Sequence, residues 1–283
     1  MPRKTKKNMI TSKSKTAKIC SYNKRLLKDF LEYLASTQKS PGTIAGYQSD
    51  LLIFFTYNLE HLDNKPFYQV TKRDLIQYQN WLVNENGNSP ARVRRLKAAL
   101  SSLSNYIEAV LDDEEEYANF RAPIKKIASP VNTPVRPKTI LSSSQLQDLL
   151  DYLVTREYYE AACMLALGMN SGRRKSELLR FRVDDFKDDN LVCDGALYKT
   201  SQPIRTKGRG MGKYLYAYTL AKGFKPYLDL WMQYREERGI ESEWLFPHHK
   251  DFTRAKDVNT LSYYADKIFT QYLGVDFYWH SLM

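Results

Sequence analysis

The stretch SGRRKSELLRF, residues 171–181, sets three cations side by side directly after a glycine. It follows AACMLALGM, residues 161–169, an apolar run that reads as a buried helix, so the chain breaks near Gly172 and a second helix begins. Counting about 100° per residue from Ser171, Arg174 lines up with Leu178 and Phe181, the apolar stripe. Arg173 lines up instead with Glu177 and Arg180. Arg174 is therefore expected at the end of a buried face, where a cation is costly unless an anion meets it. Two anions qualify. One is a phosphate, which the unpaired N–H groups of a helix's first turn also favour; the other is the nearby carboxylate of Glu177.

Upstream, four helical patterns follow one another. Leu27, Phe30, Leu31 and Leu34 recur at spacings of three and four. Ser40-Pro41-Gly42 breaks the chain, Thr43 is placed to cap, and Ile44, Tyr47, Leu51, Phe54 and Phe55 line a second helix. Thr71 caps a third, with Asp74 in its first turn, Leu75, Tyr78 and Leu82 on its stripe and Asn86-Gly87 at its end. The fourth carries Val93, Leu96, Leu100, Leu103 and Ile107. Together they predict a helical bundle over residues 20–127. Residues 128–138, ASPVNTPVRPK, hold three prolines and no periodicity, and read as a linker. In the second domain, 139–283, helical patterns surround NLVCDGALYKT and KYLYAYTL, whose alternation predicts a small antiparallel β-sheet. The fold class expected is mostly α with that one small sheet, in two domains. The first eighteen residues carry seven cations and no acid, so residues 1–19 read as a basic flexible arm, able to wrap DNA, serve as a nuclear address or merely solubilise.

The net charge of +11 over 283 residues attracts polyanions, and nucleic acid is the partner it favours over a merely basic soluble surface. Lys72 and Arg73 open the third helix, and Arg92, Arg94, Arg95 and Lys97 crowd the fourth. With the apolar neighbours of these residues turned into the bundle, the cations are expected outward, as a phosphate-contacting face. No apolar run has the length of a membrane span, and no metal-binding spacing relates Cys20, Cys163 and Cys193. His248 and His249 read as a solvated loop pair, so neither a metal nor another cofactor is expected. The odd cysteine count fits a reducing interior, cytoplasmic and DNA-associated, or nuclear in a eukaryote.

S-G-R-R-K-S-E-L-L resembles the T-G-x-R-x-x-E-L box of the tyrosine recombinases, the phage-type integrases. The resemblance places Arg174 as that family's first catalytic arginine and Glu177 as its supporting glutamate; Lys175 departs from the usual apolar residue. It runs on through most of residues 20–283. SPGTIAGYQSDLLIFF and the S-P-x-R-x-x-R start of the fourth helix are similar to the family's core-binding domain, and TILSSSQLQDLL is similar to the entry of its catalytic domain. RTKGRGMGKYLYAYTL resembles the hairpin that carries a catalytic lysine. Lys207 is the best match, with Lys199 and Lys213 as rivals and Arg173, Arg205 and Arg209 as neighbouring DNA contacts. WHSLM supplies His280 at the first place of an H-x-x-R box.

The resemblance implies double-stranded DNA as the partner, and its site-specific recombination or integration, of the kind phages and other mobile elements use. Strands are cut and rejoined through a 3′-phosphotyrosyl link without a metal. Four protomers would assemble on DNA, and the chain as given would be a monomer in solution. The second arginine's place holds Met283, and none of the 21 tyrosines follows His280, so no nucleophile is assigned. Either the chain is C-terminally incomplete, the reading favoured here, or it is a relative that binds DNA without cutting it; on both readings it is expected to be inactive alone.

Overall fold

The computed structural model describes residues 10–131, 139–206 and 212–282. The chain divides into two compact units, Met1–Arg136 and Pro137–Met283, each with its own hydrophobic core.

The first unit is built from α1 (Lys13–Lys18), α2 (Ser21–Ser36), α3 (Pro41–His61), α4 (Lys72–Asn80) and α5 (Pro90–Val110). Their starts are chemically explicit. Ser40 and Ser89 each accept from the N–H three residues on, with proline at the first helical position, so Ser40 and not Thr43 is the cap of α3. Thr71 and Asp74 close a reciprocal capping box on α4, which runs on through a π-helical turn, Trp81–Glu85, before Gly87 turns at φ +54°. The predicted stripes meet in one core, where Phe30, Leu51, Phe54, Tyr78, Leu82, Val93 and Leu100 are buried.

Two expectations change here. Residues 10–19 are not a flexible arm: Ser12 caps α1, Lys15 pairs with Glu60 at 2.5 Å, and Ile10 and Ile19 are both buried in the bundle core. Those two isoleucines pin the cationic stretch between them; residues 1–9 lie outside the described residues. The start of the expected linker is likewise tied down, because Arg94 donates to the carbonyl of Pro130 and Lys97 to that of Ala128. Residues 132–138 lie outside the described residues.

The second unit centres on α7 (Tyr159–Ser171), whose residues 161–168 are all buried, as its apolar run predicts. It packs against α6 (Ser143–Thr155) and α9 (Ala221–Glu237). Between α7 and α9 come a short α8 (Lys175–Leu178) and five strands. β1 (Leu191–Val192), β2 (Leu197–Lys199) and β5 (Tyr218–Leu220) form one antiparallel sheet, and β3 (Ile204–Thr206) pairs with β4 (Lys213–Leu215). β2–β3 and β4–β5 are the two arms of a single bent hairpin. Thr200 pairs with Ala217, and pairing resumes at Ile204 with Leu215, so Ser201, Gln202 and Pro203 stand opposite Tyr216 alone. Such a bulge redirects the outer half of the hairpin. The buried carboxylate of Asp185 holds it, taking the N–H and hydroxyl of Ser201 at 2.8 Å each and the N–H of Arg182 at 2.8 Å. After β6 (Pro247–His248) and β7 (Asp251–Ala255), α10 (Val258–Tyr264) continues through a π-helical turn, Ala265–Phe269, into α11 (Thr270–Leu273). His248 is thus a buried strand residue, not part of a solvated loop. Among the described residues no helix is long and apolar enough to cross a membrane.

Candidate active site

Gly172 does not open a helix. At φ +58° it is the left-handed cap that ends α7. Arg174 follows in extended conformation, φ −65° and ψ 149°, and α8 begins only at Lys175. Being outside the helix, Arg174 is not on the buried stripe; its side chain is 54% exposed. The buried member of the motif is Glu177, with 4% of its side chain exposed. Its Oε2 accepts from the Arg174 N–H at 3.4 Å and its Oε1 lies 3.5 Å from Nη1 of Arg174. Both contacts are long, and Arg174 also lines a cleft.

That cleft, of about 480 Å³, has three walls. Arg174, Lys175 and Ser176 form the first. Ser262 of α10 and Asp266 of the π-helical turn form the second, and Lys175 crosses to the Ser262 hydroxyl at 2.6 Å. Tyr278 and His280 form the third. His280 sits on a 3₁₀ turn, Trp279–Leu282, where residues three apart stack on one side. Trp279 packs against Phe269 and Phe277 and donates its indole N–H to the Leu261 carbonyl at 2.7 Å. Leu282 lies over Gly168 of α7, where an added Cβ would come within 2.9 Å of Leu282 Cδ1. With Trp279 and Leu282 both held inward, His280 is turned out, exposed and lining the cleft. Arg174 and His280, far apart in sequence, thus face one space.

The hairpin is rooted beside them. α8 packs against both β3 and α10. Arg173 donates to the Tyr216 carbonyl at 3.1 Å, and Arg180 donates to the Arg205 carbonyl, so the cationic turn grips both arms. Burial, reinforced by the nearby Arg205, holds the Arg180 guanidinium below its ordinary pKa. Lys207 and Arg209 lie outside the described residues, as does Met283. Of the rival lysines, Lys199 is half-buried with its ammonium 4.2 Å from the Tyr216 ring centre, and Lys213 is exposed at the start of β4. Arg205 is exposed on β3.

In the first unit the cations of α5 do not form one outward face. Arg94 is exposed, and Lys72 and Arg73 are exposed on α4 with no ion pair among the described residues. Arg92 and Arg95 instead converge on the buried Asp50. Lys97 is 7% exposed and donates to the carbonyls of Ile127 and Ala128, which removes it from any outward face. Sequence reasoning missed Asp50, Lys175, Asp266 and the anchor Trp279. A signal existed for Asp50, an acid on the apolar stripe between Tyr47 and Phe54. None existed for Asp266, on the exposed side of its helix. Among the described residues no group of three or more His, Cys, Asp or Glu could hold a metal ion.

A family model described as "Phage integrase, N-terminal SAM-like domain" matches residues 26–115. The SPbeta prophage-derived recombinase-like protein YomM of Bacillus subtilis is 30% identical over 256 residues, spanning 87% of this chain and 74% of YomM. Tyrosine recombinase XerC of Caldanaerobacter subterraneus is 26% identical over 190 residues, 60% of this chain and 52% of that protein. Among solved structures, XerH recombinase in a post-cleavage complex with a palindromic difH substrate superposes with a TM-score of 0.62 at 16% identity. The match covers 98% of this chain and 77% of that one. A lambda integrase dimer on a core site gives 0.59 at 14% identity, covering 92% and 83%. These two share the fold. With YomM matched over most of both chains, the sequence belongs to the tyrosine recombinases, the family of the phage-type integrases.

Proposed function

We propose that this chain binds duplex DNA and serves site-specific recombination, with Arg174 and His280 acting on the scissile phosphate. The observation that carries the reading is the meeting of those two side chains in one cleft. In the reaction a tyrosine oxygen attacks phosphorus, the P–O5′ bond breaks, and the 5′-oxygen leaves with a proton. Negative charge builds on the non-bridging oxygens of the five-coordinate phosphorus. The outward donors of Arg174 suit those oxygens because a guanidinium fork fits a phosphate. Glu177 holds that fork from behind. His280, lining the same cleft, holds or passes a proton during attack, and Lys207, the residue that the resemblance matches to the family's lysine, protonates the leaving oxygen.

Lys72, Arg73, Arg92, Arg94 and Arg95 contact backbone phosphates from the first unit, and Arg173, Arg205 and Arg209 from the second. Lys97 has no place in that set. Lambda integrase was solved as a tetramer on a Holliday junction, and we assign four copies of this protein to the same synaptic role. Tyr278, the tyrosine that lines the cleft, donates its hydroxyl to Asp276 at 2.8 Å, and we give it no part in attack.

Two measurements on the 283-residue chain test this. Affinity for a labelled duplex, titrated between about 50 and 200 mM salt, should fall steeply and log-linearly, as several phosphate contacts require. On a nicked suicide duplex the chain alone should form no covalent adduct. Absent or salt-insensitive binding removes the DNA reading, and a covalent adduct shows that a tyrosine of this chain attacks after all.

A further inference from the structure

Asp50 lies on α3 with 5% of its side chain exposed, and two guanidiniums of α5 meet its carboxylate. Nη1 of Arg92 donates to Oδ1 at 2.7 Å and Nε of Arg95 donates to Oδ2 at 2.8 Å. Each arginine commits one N–H group inward. The other guanidinium nitrogens make no hydrogen bond among the described residues, and the two side chains remain 34% and 44% exposed. Arg95 is fixed further by the ring of Tyr47, 5.0 Å from its Cζ; the Tyr47 hydroxyl shares a hydrogen bond with the Ser102 hydroxyl, and its ring meets Phe30 edge-on. Gly46 clears the path, since a Cβ there would stand 3.3 Å from Nη2 of Arg95.

Two like charges on one helix face repel when nothing lies between them. A carboxylate placed between them offsets that repulsion, neutralises one of the two charges, and leaves a net charge of +1 on two partly exposed guanidiniums, each with N–H groups not committed to Asp50. A phosphodiester carries one negative charge and two non-bridging oxygens. We propose that Asp50 is a positioning residue that presents Arg92 and Arg95 as one two-armed receptor for a single DNA backbone phosphate. This rests on the DNA-binding reading above and adds to it a residue that never touches DNA. Holding both side chains before DNA arrives spares the rotamer entropy that free arginines lose on binding.

The test turns on a sign. Asp50→Asn keeps the shape and raises the net charge by one, so attraction alone would tighten DNA binding, whereas lost positioning loosens it. Fluorescence anisotropy with a labelled duplex at fixed salt, on the full chain, should show affinity about tenfold weaker for Asp50→Asn. Arg92→Lys and Arg95→Lys keep the charge but lose the fork, and each should weaken binding several-fold. Adding Asp50→Asn to Arg95→Lys should cost less than it does in the wild type. A folded Asp50→Asn protein, verified by its melting curve, that binds as tightly as wild type or tighter overturns the proposal. Should Asp50→Asn fail to fold, wild-type affinity in both lysine variants overturns it instead. Failure of the wild-type chain to bind DNA sinks the functional reading, and this proposal with it; wild-type binding with an indifferent Asp50→Asn sinks the proposal alone.

Discussion

Lys97 stands in the middle of the cationic run of α5, yet the structure predicts that removing its charge will cost stability and leave the phosphate count unchanged. Its ammonium donates to the carbonyls of Ile127 at 2.9 Å and Ala128 at 2.8 Å, clasping the segment after the bundle onto α5. Lys97→Met keeps the length and apolar stem and deletes both donors. A hydrogen bond from a charged group contributes about 1.5–3 kcal/mol. Against the two bonds stands the desolvation of the ammonium, which together with the nearby Arg94 holds the Lys97 pKa below its ordinary value. The net loss should be about 1–2 kcal/mol, or about 3–8 °C in the Tm of the first unit. A lysine on a phosphate adds about 0.9 to the slope of log affinity against log salt, and that slope should not move. The pH dependence carries its own sign. A folded pKa below the unfolded one means that the unfolded chain binds more protons between the two values, so wild-type stability rises with pH there. Lys97→Met should lose that rise. Thermal melts of the full chain at neutral pH and near pH 10, with anisotropy at several salt concentrations, read all three quantities. A slope lower by about 0.9 with an unchanged Tm would refute the reasoning and return Lys97 to the DNA face.

Two further substitutions probe local chemistry. Burial tends to raise the pKa of Asp74, but the Lys65 ammonium at 2.6 Å and the bonds from Thr71 outweigh it and hold the carboxyl below its usual value. The depressed value stabilises the fold above the unfolded pKa and loses that effect as pH falls through the folded one, so Asp74→Asn should cost about 1–2 kcal/mol at neutral pH. The gap between its melting curve and the wild type's should narrow as pH falls below the usual carboxylate range, and a gap that does not change with pH counts against the pairing. Gly172 has a left-handed backbone and open space where a Cβ would go. Gly172→Ala should therefore cost about 1 kcal/mol through backbone strain alone, and Gly172→Asn less, by thermal melts; equal stability of all three proteins would show that the cap carries no strain.

Where burial follows from neighbours along one helix, the sequence was a sufficient guide. Leu27, Phe30 and Leu34, or Val93, Leu96 and Leu100, announce their stripe because each turn repeats it. The alternation of KYLYAYTL announces the hairpin in the same way, but its bulge does not appear in that pattern. The bulge depends on Asp185, a carboxylate sixteen residues away from the serine it grips. The orientation of charged side chains was least legible. Arg92 and Lys97 both read as outward cations, and both are drawn to partners on other segments, Asp50 and the carbonyls near residue 127. Glycine punctuation marks the break but not the restart. Gly172 ends α7 where the break is expected, yet α8 begins only at Lys175 and not near Ser171, so the extended Arg174 stands outside the helical phase that would bury it.

The cleft resolves a general difficulty in one consistent way. A side chain proposed to work on a phosphate, as Arg174 and His280 are, must face water until the substrate arrives, and a side chain in water has little packing to hold it. Arg174 is exposed, but Glu177, three residues on and buried, reaches back to both its backbone and its guanidinium. His280 is exposed, but its neighbour Trp279 is locked into an aromatic cluster and bonded to α10, while Leu282 closes on α7. In each case the fixed point is a buried residue within three positions, on a turn too short to do anything but present the exposed group. The arrangement also explains the order of legibility at the site. Arg174, His280 and the buried Glu177 are recognisable from the motifs they share with a family, whereas Trp279 and Leu282, which aim His280, are recognisable only from what they pack against.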